Sequence, residues 1–182
     1  MRGPARHSFT LVAAALVLGL AMPSAQAATP VLDGKKVVKL YTVQEAPPGA
    51  AAVDPTPAQV AACKPPACGR LPFVYKPAKG VKASLSVISR NFWAGLGNDD
   101  LYLMKGSQVI ASCTGALSNK RYLSVPASKL KSGTTYTAVL FFSHEIGEST
   151  SIEVRLPGVA APKAQDINPD KPFDYAITMC GV

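Results

Sequence analysis

The stretch TTYTAVLFFS, residues 134–143, decides the fold of this chain. Its β-branched and aromatic residues are typical of β-strands. The apolar run from Ala138 to Phe142 predicts a strand at the centre of a sheet. We therefore expect the neighbouring segments to build a β-structure around it.

Alternation of apolar and polar residues predicts further strands on both sides of this stretch. DDLYLMKGSQVIASC (99–113) predicts a hairpin with its turn at Lys105-Gly106-Ser107, and STSIEVRLP (149–157) alternates cleanly. The other predicted strands are VVKLYTV (37–43), KASLSVISR (82–90), RYLSVPA (121–127) and Tyr175 to Met179. Because no segment after Leu71 has a helical period, the prediction is an all-β fold, an antiparallel β-sandwich of jelly-roll type with about eight strands.

The first 27 residues are typical of an export signal. Arg2 and Arg6 precede an apolar run from Leu11 to Ala21, and Ala25-Gln26-Ala27 has the pattern of a cleavage site. The apolar run is too short to span a membrane. We expect residues 28–182 to be a secreted monomer that is extracellular, periplasmic or associated with the cell wall, without a transmembrane segment.

Residues 28–182 are predicted to form one globular domain. Residues 28–70 would supply an N-terminal strand and a Pro- and Ala-rich insert, and residues 71–182 the β-sandwich. Within the insert, Thr56 before Pro57 predicts the start of a short helix that ends near Cys63. We expect this insert to lie on the surface, where a disulfide holds it instead of a core.

The four cysteines are predicted to form two disulfides. Cys63 and Cys68 flank Lys-Pro-Pro-Ala, a spacing that does not match the C-x-x-C of a redox pair. A structural zinc site would need four ligands in two close pairs, whereas Cys113 and Cys180 stand alone. Proximity in sequence therefore pairs Cys63 with Cys68 and leaves Cys113 to join Cys180.

The charge of the chain favours attraction to polyanions. Without Arg2 and Arg6, 17 basic residues remain against 11 acidic ones, a net charge of +6. The basic residues are scattered through the sequence, with no run of five. This pattern suits loose attraction to anionic cell-wall polymers, acidic glycans or nucleic acid, or a charged surface that keeps the protein soluble.

The residues between Arg90 and Asp100 contain the two candidate ligand sites. Asn98, Asp99 and Asp100 offer adjacent oxygen atoms that could begin a calcium site, or could cap a turn by bonding the backbone. Phe92 and Trp93 precede Gly95-Leu96-Gly97, so these aromatic side chains either stack on sugars from a loop or close one end of the core. No arrangement typical of an enzyme is present in the sequence, and the prediction is a protein without catalytic residues.

Residues 71–157 resemble the bacterial pre-peptidase C-terminal domain, a family of exported β-sandwich modules. The resemblance lies in Asp99-Asp100-Leu101-Tyr102-Leu103 and in the later strand start Gly133-Thr134-Thr135-Tyr136. It implies a jelly-roll fold and a non-catalytic role beside secreted hydrolases, in substrate or matrix binding, sometimes with calcium bound by acidic residues. No hydrolase domain accompanies these residues, which favours a stand-alone binding protein.

Two functions follow as hypotheses. The first is a secreted, non-catalytic protein that binds an extracellular polysaccharide, such as a cell-wall glycan, or a protein surface, without specific binding of nucleic acid. The second is a protease inhibitor that presents the loop between Cys63 and Cys68, because two prolines inside a small ring are rigid and Lys64 could be recognised.

Overall fold

The computed structural model describes residues 28–44, 55–91, 99–115, 120–142, 148–157 and 177–181. The strands are β1 (Val31–Leu32), β2 (Val38–Gln44), β3 (Cys68–Tyr75), β4 (Leu85–Asn91), β5 (Asp99–Lys105), β6 (Gln108–Cys113), β7 (Lys120–Val125), β8 (Thr134–Phe142), β9 (Glu148–Arg155) and β10 (Ile177–Cys180). The helices are α1 (Pro57–Ala62) and a 3-10 turn at Ala127–Lys129.

Two five-stranded sheets pack face to face, which confirms the predicted all-β sandwich. One sheet has the order β1-β3-β8-β5-β6 and is called sheet A; the other has the order β10-β7-β4-β9-β2 and is called sheet B. In pairs, β2 lies antiparallel to β9, β3 to β8, β4 to β7 and β5 to β6. This nested pairing is a long antiparallel hairpin rolled into two sheets, the arrangement of a jelly roll.

The antiparallel prediction holds for these eight strands and is wrong for two short strands at the edges. β1 lies parallel to β3, and β10 lies parallel to β7. Both come from the ends of the described chain, outside the nested pairs. The described residues therefore form ten strands instead of about eight.

The core lies between the sheets and consists of the inward side chains of alternating strand positions. Phe73, Leu103, Tyr136, Phe142 and Val154 are at most 2% exposed. Residues 134–142 of the stretch TTYTAVLFFS form β8, the middle strand of sheet A. Its predicted central position is confirmed.

β3 was not predicted as a strand because it contains Pro72, which cannot donate a ladder hydrogen bond. The structure accommodates Pro72 because β1 pairs only with Val74 and Tyr75. Pro72 therefore lies beyond β1, where its strand is an edge, and its side chain is exposed. β3 begins at Cys68, so the residues before Leu71 contribute directly to the sandwich.

The short helix α1 forms as predicted. The Thr56 hydroxyl accepts a hydrogen bond from the Gln59 amide at 3.3 Å, and the Gln59 side chain accepts one from the Thr56 amide at 2.8 Å, a complete capping box. The expectation that no core holds this segment is wrong. Val60 is fully buried in a second cluster with Tyr102, Met104 and other residues on the outer side of sheet A.

Arg70 also fixes α1 to the sheet. Its guanidinium donates to the carbonyl oxygens of Val60, Ala61 and Cys63, at 3.0, 3.2 and 3.3 Å. These carbonyls belong to the last turn of the helix, where a cation is favoured. Among the described residues, no helix is long and apolar enough to cross a bilayer.

Both predicted disulfides are present, and no described cysteine is free. Cys63–Cys68 joins the end of α1 to the start of β3. Cys113–Cys180 joins β6 at the edge of sheet A to β10 at the edge of sheet B. The second bridge therefore closes one side of the sandwich.

Candidate binding surface at the lysine-rich end

Four connections emerge from the same end of the sandwich because the strands alternate in direction. They join β1 to β2 (33–37), β3 to β4 (76–84), β5 to β6 (106–107) and β7 to β8 (126–133). Together with Lys105, the last residue of β5, they form a surface that we call the lysine-rich end.

Eight lysines lie at this end, and every one is exposed. They are Lys35, Lys36, Lys76, Lys79, Lys82, Lys105, Lys129 and Lys131. The only acidic residue in the four connections is Asp33. Its carboxylate accepts a hydrogen bond from the backbone amide of Lys35 at 2.9 Å. The surface therefore presents a strong local positive charge.

The positive charge of the described residues is concentrated at this end. Residues 28–182 contain 17 basic and 11 acidic residues. The structure describes 15 of these basic and five of these acidic residues. Eight of the 15 and one of the five belong to the lysine-rich end, which leaves seven basic and four acidic residues in the other described parts. The basic residues that look scattered in the sequence are thus gathered by the topology.

None of the eight lysines is neutralised by a carboxylate within the described ranges. Glu153, by contrast, forms ion pairs with Lys39 and with Arg155, both at 4.0 Å, on the outer side of sheet B. Like charges that stay unpaired repel one another and disfavour the compact state. An anionic partner would relieve this repulsion.

A pocket of about 280 Å³ opens between two of these lysine-bearing connections. Tyr75, Pro77, Val81 and Lys82 line one wall, and Ala127, Ser128, Leu130 and Ser132 line the other. The walls therefore combine apolar side chains, three hydroxyl-bearing side chains and one lysine. Lys129 and Lys131 alternate with the lining residues of the second wall.

Hydrogen bonds fix both walls of the pocket. The Tyr75 hydroxyl donates to the Ala83 carbonyl at 2.6 Å, and the Tyr75 carbonyl accepts from the Gly133 amide at 2.8 Å. The Lys131 amide donates to the Tyr136 hydroxyl at 2.9 Å. Burial raises the pKa of the Tyr75 phenol, so this group remains a protonated donor at neutral pH. The pocket is thus organised without a ligand.

The predicted acidic residues Asp99 and Asp100 lie at the opposite end of β5. They are the first two residues of the strand and are each 3% exposed. The predicted hairpin, residues 99–113, also begins at Asp99. Because successive strand residues face opposite sides of the sheet, Asp99 and Asp100 lie on opposite faces of sheet A.

The turn-capping interpretation expected one of the two carboxylates to accept a hydrogen bond from a backbone amide. Asp100 does so, but the amide belongs to Gly115, which is distant in sequence. Its Oδ1 accepts from the Gly115 amide at 3.3 Å, and its Oδ2 accepts from the Tyr102 hydroxyl at 3.4 Å. The bond therefore ties the start of β5 to the end of β6.

Arg121 compensates the charge of these carboxylates. It is 1% exposed, and burial lowers the pKa of its guanidinium, whereas Asp100 and Asp99 act in the opposite direction. A buried cation beside two carboxylates forms an internal charge cluster. Among the described residues, no group of three or more acidic, histidine or cysteine side chains could hold a metal ion. Asp99 and Asp100 therefore do not fit a calcium site by themselves.

Phe92, Trp93 and Asn98 lie outside the described residues, and the predictions for them stay predictions. The predicted inhibitory loop is described: Lys64, Pro65 and Pro66 are exposed. The Ala67 amide donates to the Lys64 carbonyl at 3.0 Å, so the loop is a closed turn between the two bridged cysteines.

A second cavity, of about 240 Å³, lies on the outer side of sheet B. Tyr122, Met179, Ser86 and Ser124 contribute to its walls. Lys120 lies over the Tyr122 ring, with its Nζ 4.9 Å from the ring centroid. Lys120 is the lysine described beside this cavity, whereas the lysine-rich end carries eight lysines.

Sequence reasoning missed the lysine-rich end because the basic residues are distant along the chain. The signal was present: most lysines lie in the turns between predicted strands, beside Gly34, Gly80, Gly106 and Gly133. Turns at alternate strand boundaries share one end of a sandwich. Comparison with protein-family models and with curated proteins gives no match for this chain.

Proposed function

We propose that this chain is an exported, non-catalytic protein that binds an anionic extracellular polymer through the lysine-rich end. The observation that carries the proposal is the concentration of eight exposed lysines and one acidic residue at one end of the sandwich, a net charge of +7 there against +3 for the other described residues. The binding requires only positively charged side chains, and we assign no catalytic residue.

A polymer fits this surface better than a single small anion. The lysines are spread over the three connections that join the two sheets and over the end of β5. A chain of regularly spaced negative charges can contact several of them at once, and the release of its counterions favours binding. The separate contacts then act together, so that weak individual interactions give useful affinity.

Lysine, and not arginine, supplies the charge at this end. The ammonium group is a compact, flexible point charge, whereas arginine forms the planar, paired contacts of specific phosphate recognition. The surface is therefore suited to a partner that has a high density of negative charges at variable spacing. This chemistry agrees with an irregular envelope polymer as the partner.

Two further observations support export. The apolar run at Leu11 to Ala21 with two preceding arginines is typical of a signal segment. Two disulfides are formed, and such bridges persist in oxidising compartments.

Titration of residues 28–182 with polygalacturonate, inorganic polyphosphate and neutral dextran tests the proposal. We expect both polyanions to bind and dextran not to bind. Lys79→Gln with Lys129→Gln should weaken binding about tenfold at low salt and reduce the slope of log K against log salt by about 1.5 to 2, because two counterion-releasing contacts are lost. The control, Lys64→Gln with Lys120→Gln, removes the same charge elsewhere and should change affinity less than threefold.

The stapled turn at Lys64 supports a second candidate function, the inhibition of a secreted protease. The observation that favours it is the exposure of Lys64, Pro65 and Pro66 in a turn whose ends are bridged. Inhibition of a trypsin-like protease that vanishes in Lys64→Ala would support this function. Equal cleavage of a peptide substrate with and without the protein, over a panel of such proteases, would refute it.

A further inference from the structure

We propose that the pocket at the lysine-rich end holds one sugar unit of the polymer, which makes the ligand an acidic polysaccharide. This inference rests on the proposed function and assigns the substrate class. The lysines attract the chain, and the pocket between the β3–β4 and β7–β8 connections recognises its repeating unit.

The lining of the pocket matches the chemistry of a sugar ring that bears an anionic group. Pro77, Val81 and Leu130 provide apolar surface for the C–H face of the ring. Ser128 and Ser132 provide hydroxyls that can donate to and accept from sugar hydroxyls. Lys82 provides an ammonium group at the same pocket for a carboxylate.

The size of the pocket fits a single unit. Its volume of about 280 Å³ is at the lower limit of ordinary ligand pockets, which span about 300–1,000 Å³. An oligosaccharide bound here must therefore continue across the surface beyond the pocket. That surface carries Lys76, Lys79, Lys129 and Lys131, all exposed.

The walls are held in place before any ligand arrives, so little ordering is needed on binding. The Tyr75 ring is 3% exposed and packs edge-on against Tyr136, with 6.3 Å between the ring centroids. The second wall contains the 3-10 turn, where the Leu130 amide donates to the Ala127 carbonyl at 3.1 Å. Preorganised walls favour discrimination between ligands.

Other polyanions fit the pocket less well. Single-stranded nucleic acid is held by stacking of bases on exposed aromatic faces, but Tyr75, the one aromatic residue that lines this pocket, is buried. Polyphosphate has no apolar face to place against Val81 and Leu130. An anionic lipid bilayer would take up several exposed apolar side chains. In these connections Val81, which is 53% exposed, is the one large apolar side chain that is mostly exposed, so a bilayer also fits less well.

The experiment compares two uncharged substitutions of exposed serines. Ser128→Leu places an apolar side chain in the pocket and removes a hydroxyl, whereas Ser107→Leu makes the same change in the β5–β6 turn, outside the pocket. Binding of residues 28–182 is measured by calorimetry with polygalacturonate, polyphosphate, a DNA duplex and anionic phosphatidylglycerol vesicles, all at one ionic strength. Circular dichroism establishes that each variant is folded.

We expect Ser128→Leu to weaken binding of polygalacturonate about tenfold, through the lost hydrogen bond and the filled space, and to leave polyphosphate binding within twofold. Ser107→Leu should leave both unchanged. The inference is overturned if Ser128→Leu affects both polyanions equally or neither, or if DNA or vesicles bind more tightly than polygalacturonate at matched charge. In those cases the proposed function survives as long as Lys79→Gln with Lys129→Gln weakens binding. Failure of the wild type to bind any polyanion overturns the proposed function itself.

Discussion

Removal of the Cys113–Cys180 bridge should destabilise the protein about twice as much as removal of the Cys63–Cys68 bridge. The perturbations are the paired substitutions Cys113→Ala with Cys180→Ala and Cys63→Ala with Cys68→Ala, which leave no free thiol behind. Both bridges are formed in the folded protein, so each pair of substitutions deletes one native cross-link.

The magnitude follows from the length of chain that each bridge closes. Cys113 and Cys180 are 67 positions apart, whereas Cys63 and Cys68 are 5 apart. The loss of loop-closure entropy then corresponds to about 4 kcal/mol for the long bridge and about 2 kcal/mol for the short one. For a domain of this size, these values correspond to decreases in Tm of roughly 12 °C and roughly 6 °C.

The packing around the two bridges acts in the same direction. Cys113 is fully buried in the main core, and its bridge holds β10 at the edge of sheet B. The segment at the short bridge keeps other attachments, namely the three hydrogen bonds of Arg70 and the buried Val60 side chain. Loss of the long bridge should therefore destabilise the main core more than loss of the short bridge does.

Thermal and urea unfolding, followed by circular dichroism under non-reducing conditions, measure this difference. The serine analogues of both pairs serve as controls for the size and polarity of the replacing side chain. Equal decreases in Tm for the two alanine pairs, or a larger decrease for Cys63→Ala with Cys68→Ala, would refute the reasoning.

Three further predictions concern the helix, a buried phenol and calcium. Arg70→Ala should lower the free energy of unfolding by about 2 kcal/mol because three helix carbonyls lose a charged donor, and a change under 0.5 kcal/mol in urea unfolding would contradict this. The folded pKa of Tyr75 is raised, so stability should fall as the pH rises through the unfolded value of about 10 towards the folded pKa; a wild type whose urea midpoint falls no more than that of Tyr75→Phe between pH 9 and 11 would contradict it. Saturating calcium should not raise Tm, because both oxygens of Asp100 already accept hydrogen bonds, and a rise that Asp99→Asn with Asp100→Asn abolishes would restore the calcium hypothesis.

The strands were predictable where side chains alternate or are β-branched, because those patterns report directly which face is buried. β8 and β9 are examples. β3 could not be predicted, since Pro72 is compatible with a strand only if β1 is too short to reach it, and the length of β1 depends on tertiary structure.

The candidate site could not be predicted for a related reason. Lys35, Lys79, Lys105 and Lys131 are far apart in sequence, and only the pairing of strands brings their connections to one end. Conversely, Asp99 and Asp100 look exposed in the sequence, whereas Arg121 and the Gly115 amide allow them to be buried. In both cases, tertiary pairing outweighs the local polarity of the sequence.

The most direct test of the lysine-rich end is a map of chemical-shift changes in isotope-labelled residues 28–182 during titration with galacturonate oligomers. We expect the largest amide shifts to fall within residues 33–37, 76–84 and 126–133, and we expect salt to reverse them. Shifts that centre on the outer side of sheet B or on the Cys63–Cys68 turn, or an unchanged spectrum at low salt, would contradict binding at the lysine-rich end.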